Sequence, residues 1–331
     1  MKKGKLLITG GGGYIGTKLV DVALKTGRDV CVFDTFYFGK EKLSKFKGDP
    51  RLELVQGDIR AIQVNAFKEV EEVVNLAGIS NDPSCDLNPQ VTESTNFDGC
   101  VRVAKKAKEA GVKRFVDMSS CSVYGMNDED VCTEETPLNP VSLYAKIKGR
   151  VEEAIMPLSS KDFVISSLRN STTFGSSERM RFDLVVNIMT MNALLQGIIK
   201  ISGDGSQSRP LIHVRDVAES CIQLLGADPR QVNGEIFNIV GVNLEISNVA
   251  FLIKRSLQRS LQREIRIEKF PQDYDIRTYK VDGGKIERRL GIKPKRTIEE
   301  SVVEIEDGVK CGNIIDSPDC YTVQFYKNMK L

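Results

Sequence analysis

Tyr144 and Lys148 stand at i and i+4 in the run Tyr144-Ala145-Lys146-Ile147-Lys148. On a helix that spacing places both side chains on one face, a turn apart. An ammonium beside a phenol favours the phenolate and draws the phenol down from its reference pKa of about 10. The pair is therefore a candidate general base. Upstream, Phe115-Val116-Asp117-Met118-Ser119-Ser120-Cys121-Ser122-Val123-Tyr124-Gly125 reads as a strand running into hydroxyls, and a serine there could hydrogen-bond a hydroxyl being oxidised. A lone tyrosine and lysine at this spacing is common by chance. Its weight here comes from a second segment near the start of the chain, Leu6-Leu7-Ile8-Thr9-Gly10-Gly11-Gly12-Gly13-Tyr14-Ile15-Gly16.

The elements around that second segment say what it holds. Lys5 to Ile8 is an apolar run of the kind a buried parallel strand shows, and Ile15, Leu19, Val20 and Ala23 give the following helix an apolar face. Gly10, Gly13 and Gly16 lie between them at G-x-x-G-x-x-G spacing: the first for a tight turn, the second for close approach of a pyrophosphate, the third for helix–strand packing. Phosphates would sit on the free N–H groups of the helix N-terminus, around Tyr14 and Ile15. A second apolar strand, Val30 to Phe33, ends in Asp34, an acid about twenty residues past the glycines, where a carboxylate accepts from ribose hydroxyls. Such an acid repels a 2′-phosphate, so NAD is expected rather than NADP. The alternatives are a plain tight turn and a polar strand end.

As a set, these motifs resemble the extended branch of the short-chain dehydrogenase/reductase family, the nucleotide-sugar epimerases and dehydratases. The resemblance covers nearly the whole chain. The T-G-x-x-G-x-x-G motif is Thr9 to Gly16, and the acidic ribose contact is Asp34. The adenine-side pair is Asp58-Ile59, the N-L-A-G turn is Asn75-Leu76-Ala77-Gly78, and the central asparagine is Asn96. The resemblance thus assigns Gly10, Gly13, Tyr14, Ile15, Gly16, Asp34, Asp58, Ile59, Leu76, Ala77, Gly78, Asn96 and Asn170 to the cofactor, together with Tyr144 and Lys148. It makes Ser120, Tyr144 and Lys148 catalytic. The R-x-x-x-H-V-x-D segment is Arg209 to Asp216, in which Arg209 matches the family's diphosphate-binding arginine and His213 reads as a structural strand end.

Which reaction the resemblance implies depends on the two residues after Ser120. The 4,6-dehydratases place an Asp-Glu pair there; this chain has Cys121 and Ser122. Decarboxylases of this kind place a glutamate, and 3,5-epimerases a cysteine, at the position of Ser122. Cys121 is one residue off, and neighbours on a strand point to opposite faces, so it is expected behind the site. What remains is oxidation of a sugar hydroxyl, most naturally at C4, by NAD with Tyr144 as base. Return of the hydride to the other face makes a 4-epimerase, and loss of the ketone makes a 4-dehydrogenase. Ser122, Thr172, Asn187 and Arg209 are expected on the substrate. Thr172 departs from the family's asparagine, which puts galactose-type specificity in doubt. The run Glu178 to Asp183 is closer to epimerase-like enzymes of surface-polysaccharide pathways, including a heptose 4-dehydrogenase group acting on a GDP-sugar. Arg179, Arg181 and Arg277 are candidate phosphate ligands, or solvated arginines. A non-catalytic NAD(H)-binding regulator is the remaining class, but such proteins lose the tyrosine or lysine kept here.

Composition agrees. The 331 residues carry 47 Lys and Arg against 45 Asp and Glu, a formal net charge of +2, with no long basic stretch or acidic tail. Neither nucleic acid nor a membrane surface is implied as a partner, and the start of the chain does not read as a signal peptide. Eight cysteines without C-x-x-C spacing and a single histidine make a metal site unexpected and a reduced, cytoplasmic chain the simplest account. The strand–helix alternation predicts an α/β fold: a Rossmann-type doubly wound parallel sheet over residues 1–170, joined by a returning segment at about 209–228, and a smaller mixed α/β substrate domain, interleaved, over 171–331. Ile236–Val240 is expected as a strand of the smaller domain. A UDP-, GDP- or CDP-linked sugar would lie between the two, in a homodimer or tetramer.

Overall fold

The computed structural model describes residues 4–127, 130–271 and 278–330. Its centre is a parallel sheet of seven strands: β1 (Lys5–Thr9), β2 (Val30–Asp34), β3 (Leu52–Gln56), β4 (Val70–Asn75), β5 (Arg114–Ser120), β6 (Val164–Asn170) and a seventh from further along. The spatial order runs 3-2-1-4-5-6 and then this seventh strand. Chain direction across the sheet reverses between β1 and β4, and a doubly wound sheet binds ligands at that switch point, beyond the carboxyl ends of its strands.

Alternation along β1 shows why the sheet needs cover on both faces. Leu6 and Ile8 pack among Leu19, Val20 and Ala23 of the helix Tyr14–Lys25 and Val217 and Cys221 of the helix Val214–Gly226. Leu7 points the other way, to Val103 and Ala107 of the helix Cys100–Glu109 and Ile147 and Val151 of the helix Leu143–Ile155.

Beyond Asn170 three short strands, β7 (Thr172–Phe174), β8 (Ile198–Ser202) and β9 (Ser208–His213), precede the sheet's seventh strand, β10 (Glu235–Ile239). This corrects the sequence expectation for that segment: β10 pairs parallel with β6 in the main sheet. Its apolar run is suited to either sheet, and the pairing is decided by a chain return that leaves no local signal. β11 (Val242–Glu245) runs antiparallel to β9, whose other edge pairs parallel with β7, and β12 (Arg266–Phe270) pairs with β8. The helices Val185–Gln196, Ile246–Leu261 and Ile298–Lys310 share a second core containing Val186, Ile253 and Val302. A last helix, Thr322–Met329, folds back toward the loop after β2, where Phe38 meets Phe325 at 4.7 Å between ring centroids. Among the described residues no helix is long and apolar enough to cross a membrane.

Candidate active site

A cleft of about 670 Å³ opens at the switch point. Its floor is the glycine turn. Gly10 takes φ +73, and a Cβ there would stand 2.7 Å from the Ala77 backbone nitrogen, so no side chain fits between the ends of β1 and β4. A Cβ on Gly16 would stand 2.3 Å from the Gly10 carbonyl oxygen. Helix Tyr14–Lys25 starts at Gly13 without a side-chain cap, so its first N–H groups have no intrahelical acceptor. Gly10, Gly13, Tyr14, Ile15 and Gly16 all line the cleft.

Asp34 ends β2 at the cleft wall. Its carboxylate accepts from the Gly12 N–H at 2.9 Å and the Phe36 N–H at 2.7 Å. Burial pushes its pKa up against those bonds. Oδ1 also accepts from the Thr35 hydroxyl at 3.5 Å, and Oδ2, which accepts from Gly12 alone, keeps a further lone pair for a ribose hydroxyl. Asp58, Ile59, Leu76, Ala77, Gly78 and Asn170 also line the cleft. Asp58 is paired with Arg60 at 2.5 Å. Asn170 donates to Thr173 at 2.7 Å, while its own oxygen is buried without a partner.

Across from this floor, the helix Leu143–Ile155 is capped by Ser142, which accepts from the Ala145 N–H and donates to Asp82. Ile147, Val151 and Ile155 bury one stripe of the helix. Tyr144 and Lys148 occupy the neighbouring stripe and face the cleft. The Lys148 ammonium donates to the Met118 carbonyl at 2.6 Å and lies 5.8 Å from the Tyr144 ring centroid. Burial alone would lower the Lys148 pKa, but Tyr144 and Asp117 beside it outweigh that and its net shift is upward. For Tyr144 the balance differs from the sequence expectation. Lys148 does pull its pKa down, yet burial pushes harder, and the net direction is up.

Ser120 Oγ accepts from both the N–H and the hydroxyl of Ser122, at 3.1 and 2.9 Å. Its acceptor capacity is thereby used, and its own proton is left to donate into the cleft. Cys121 points the opposite way, fully buried and donating to the Arg169 carbonyl. Its thiol pKa is driven up by burial.

Several expected ligands lie elsewhere. Asn96 does not line the cleft; its side chain accepts from the Ile79 N–H and donates to the Ile79 carbonyl, at 2.7 and 2.8 Å. It sits in a π-helical turn, Ser94–Gly99, whose Thr95 does reach the cleft. Asn187 is likewise consumed internally, accepting from the Gly175 N–H and donating to the Tyr14 hydroxyl and the Arg181 carbonyl. A primary amide offers donor and acceptor together, which suits both for tying buried backbone. Arg277 lies outside the described residues. Ser122, Thr172, Arg179, Arg181 and Arg209 all line the cleft. Arg181 is not solvated but paired with Asp183 at 2.7 Å. His213 is buried, its Nδ1 accepting from the Arg215 N–H and its Nε2 held by Glu304 at 3.1 Å.

Sequence reasoning missed four contributors. Asp117 lies under Lys148, receives a bond from Asn75 at 2.8 Å, and keeps one oxygen unpartnered. The Ser119 hydroxyl is also buried at the cleft without a partner. Phe38 and Tyr326 complete the far wall. Asp117 and Ser119 stand inside the hydroxyl-rich segment and were findable there; nothing in the C-terminal sequence marks Tyr326.

The profile of the NAD dependent epimerase/dehydratase family matches residues 6–240. The chain belongs to that family. It is an NAD-dependent enzyme, and the crowded glycine turn, the Asp34 acceptor and the orphaned Asn170 oxygen all fit the cofactor. UDP-glucose 4-epimerase of Mycolicibacterium smegmatis is 30% identical over 315 residues, covering 91% of this chain and 96% of its own. That of Lactobacillus helveticus is 26% identical over 319 residues, covering 90% and 94%. Among solved structures, DesIV, a dTDP-glucose 4,6-dehydratase from Streptomyces venezuelae with NAD bound, superposes with a TM-score of 0.81 at 27% identity, over 92% of this chain and 97% of that one. NAD bound in this cleft would supply a hydride acceptor, and Tyr144, Lys148 and Ser120 are side chains gathered in the same cleft.

Proposed function

We propose that this enzyme is a nucleotide-sugar 4-epimerase, oxidising one sugar hydroxyl and returning the hydride to the opposite face of the ketone. The observation that carries this is the set of groups around Ser120. A donor hydroxyl, a tyrosine and a charged lysine meet there, and the next position is a thiol turned into the protein. That set handles an O–H proton and offers no carboxylate at the two positions where dehydratases abstract carbon-bound protons. The nearby cleft carboxylates are engaged: Asp183 with Arg181, and Asp82 by the Ser142 hydroxyl. The similarity to UDP-glucose 4-epimerases along most of the chain supports the same reading.

In this reading Tyr144 removes the hydroxyl proton, Ser120 hydrogen-bonds the same oxygen, and Lys148 stabilises the phenolate. Ser122 and Thr172 contact the sugar, and Arg209 its diphosphate, through the forked geometry that suits phosphate. Residues 1–170, with the returning helix Val214–Gly226 and β10, form the cofactor domain and the other described residues the substrate domain. The substrate is a UDP-, GDP- or CDP-linked sugar, and the enzyme acts in the cytoplasm as a symmetric oligomer. Incubation with a panel of such sugars tests the proposal. A sugar epimer forming without net build-up of reduced nicotinamide is expected. Stoichiometric ketone and reduced cofactor would make the enzyme a 4-dehydrogenase instead, and no turnover on any of them would overturn the assignment.

A further inference from the structure

Arg179 is a buried cation without a carboxylate paired to it among the described residues. It is 2 % exposed, its Nε atom is buried with no hydrogen-bond partner, and the side chain lines the cleft. A buried charge in that condition is costly unless something of opposite sign faces it. Asp183 acts on it at a distance, with the Thr322 hydroxyl donating to that carboxylate at 3.4 Å, but Asp183 is itself paired with Arg181. Two contacts fix its position. Its guanidinium lies 3.8 Å above the Phe38 ring centroid, and its Nη2 donates to the Thr322 hydroxyl at 2.9 Å.

Both anchors belong to the cofactor side of the cleft. Phe38 follows Asp34 in the same loop, and Tyr326, one turn beyond Thr322, packs 5.9 Å from Phe38 and also lines the cleft. The strand-to-helix strap that carries Arg179 is bolted to the glycine turn. The Ser177 hydroxyl donates to the Tyr14 carbonyl at 2.6 Å, and the Tyr14 hydroxyl donates to the Gly175 carbonyl at 2.7 Å. The C-terminal segment closes over the strap, with the Phe182 N–H donating to the Cys320 carbonyl at 2.9 Å.

We propose that Arg179, held between Phe38 and Thr322, is a second clamp on the dinucleotide's pyrophosphate, so that the C-terminal helix Thr322–Met329 acts as a clasp retaining NAD. The helix N-terminus at Gly13 binds the pyrophosphate with backbone N–H groups, and Arg179 answers it from the other side with a forked cation. An enzyme that must return its hydride within one turnover benefits from a cofactor that does not leave. The inference rests on NAD as the cofactor, and NAD binding by the wild-type chain tests that separately.

The experiment uses the full chain as wild type, Arg179→Met and Thr322→Val, with circular dichroism to confirm folding. NAD, UDP and GDP are titrated against each, and NAD retained through gel filtration is measured. Loss of a charge-assisted contact predicts a rise of roughly tenfold to hundredfold in the NAD dissociation constant for Arg179→Met. Thr322→Val, which leaves the arginine in place but unanchored, is expected to give a smaller rise and faster NAD loss. UDP and GDP binding should not change. An NAD dissociation constant unchanged in folded Arg179→Met overturns the proposal, and weakened UDP or GDP alongside it gives Arg179 to the second nucleotide. If Arg179→Met does not fold, unchanged NAD retention in Thr322→Val overturns it alone. A wild-type chain that does not bind NAD would overturn the cofactor assignment as well.

Discussion

The two walls of the cleft are built in different ways. The floor at the switch point is one contiguous piece of chain, strand to glycine turn to helix, and it offers mostly backbone: the uncapped start of the helix Tyr14–Lys25 and a turn with no room for a Cβ at Gly10 or Gly16. The opposite wall is assembled from distant segments and offers side chains. Asn81 reaches Asp183 at 2.5 Å, and the Arg209 guanidinium lies 6.0 Å from the Tyr279 ring centroid. A backbone site needs a short motif with the right glycines. A side-chain site needs only that several remote residues arrive together. The first can be read in one short stretch of sequence; the second cannot, and substrate specificity is expected there.

Substitutions can break this contrast. The largest effect is expected between the walls, at the chemistry itself. Tyr144→Phe keeps the ring and loses the base, so turnover should fall by about 10²–10⁴-fold while NAD and nucleotide sugar still bind. Near wild-type turnover would remove Tyr144 from the mechanism. Gly16→Ala should act on the floor alone. Its Cβ would press on the Gly10 carbonyl at 2.3 Å, and overpacking of this kind costs about 1–3 kcal/mol. The expected result is loss of retained NAD and a lower melting temperature, with nucleotide-sugar binding intact. Arg209→Ala should do the reverse on the substrate side, raising KM for the nucleotide sugar by roughly tenfold to hundredfold while NAD binding and kcat hold. Equal loss of NAD and sugar binding in either variant would erase the distinction between the walls.

The smallest effect concerns how the second wall is tied down. Burial raises the Glu304 carboxyl, but bonds from His213 and Ser176 overcome that and bring its pKa from 4.5 down to about 2. A carboxyl lowered on folding adds stability above its unfolded pKa and loses it as the pH falls through the folded value. The gap in melting temperature between wild type and Glu304→Gln should therefore be full near neutrality and shrink between about 4.5 and about 2. A gap that does not vary with pH would show that the carboxylate's charge is not what matters there.

This contrast also explains what was legible in the sequence. The Gly10–Gly16 turn, Asp34 and the Tyr144–Lys148 pair could be read because each depends on spacing within one element or between neighbours. The family resemblance extended that reading to Ser120 and the N-L-A-G turn. Asn96 and Asn187 were misplaced because side-chain type does not reveal direction: each amide turns away from the cleft and ties buried backbone at Ile79 and Gly175. β10 was assigned to the wrong sheet because its apolar run carries no record of its partner, which arrives from β6 across a long chain return. The lowering expected for Tyr144 was incomplete for a similar reason. Lys148 was visible in the sequence, but the burial that opposes it is a property of the assembled cleft.

The central claim is that this cleft moves a hydride and a hydroxyl proton at one sugar carbon and leaves carbon-bound protons alone. Turnover of an accepted nucleotide sugar in heavy water tests it most directly, with the epimer analysed by nuclear magnetic resonance early in the reaction. The account predicts an epimer with no deuterium on carbon, because the hydride leaves and returns through NAD and the exchangeable protons sit on oxygen. Deuterium at C3 or C5 of that product would contradict it, and would mean that Cys121 or another side chain placed here outside the chemistry is abstracting protons from carbon.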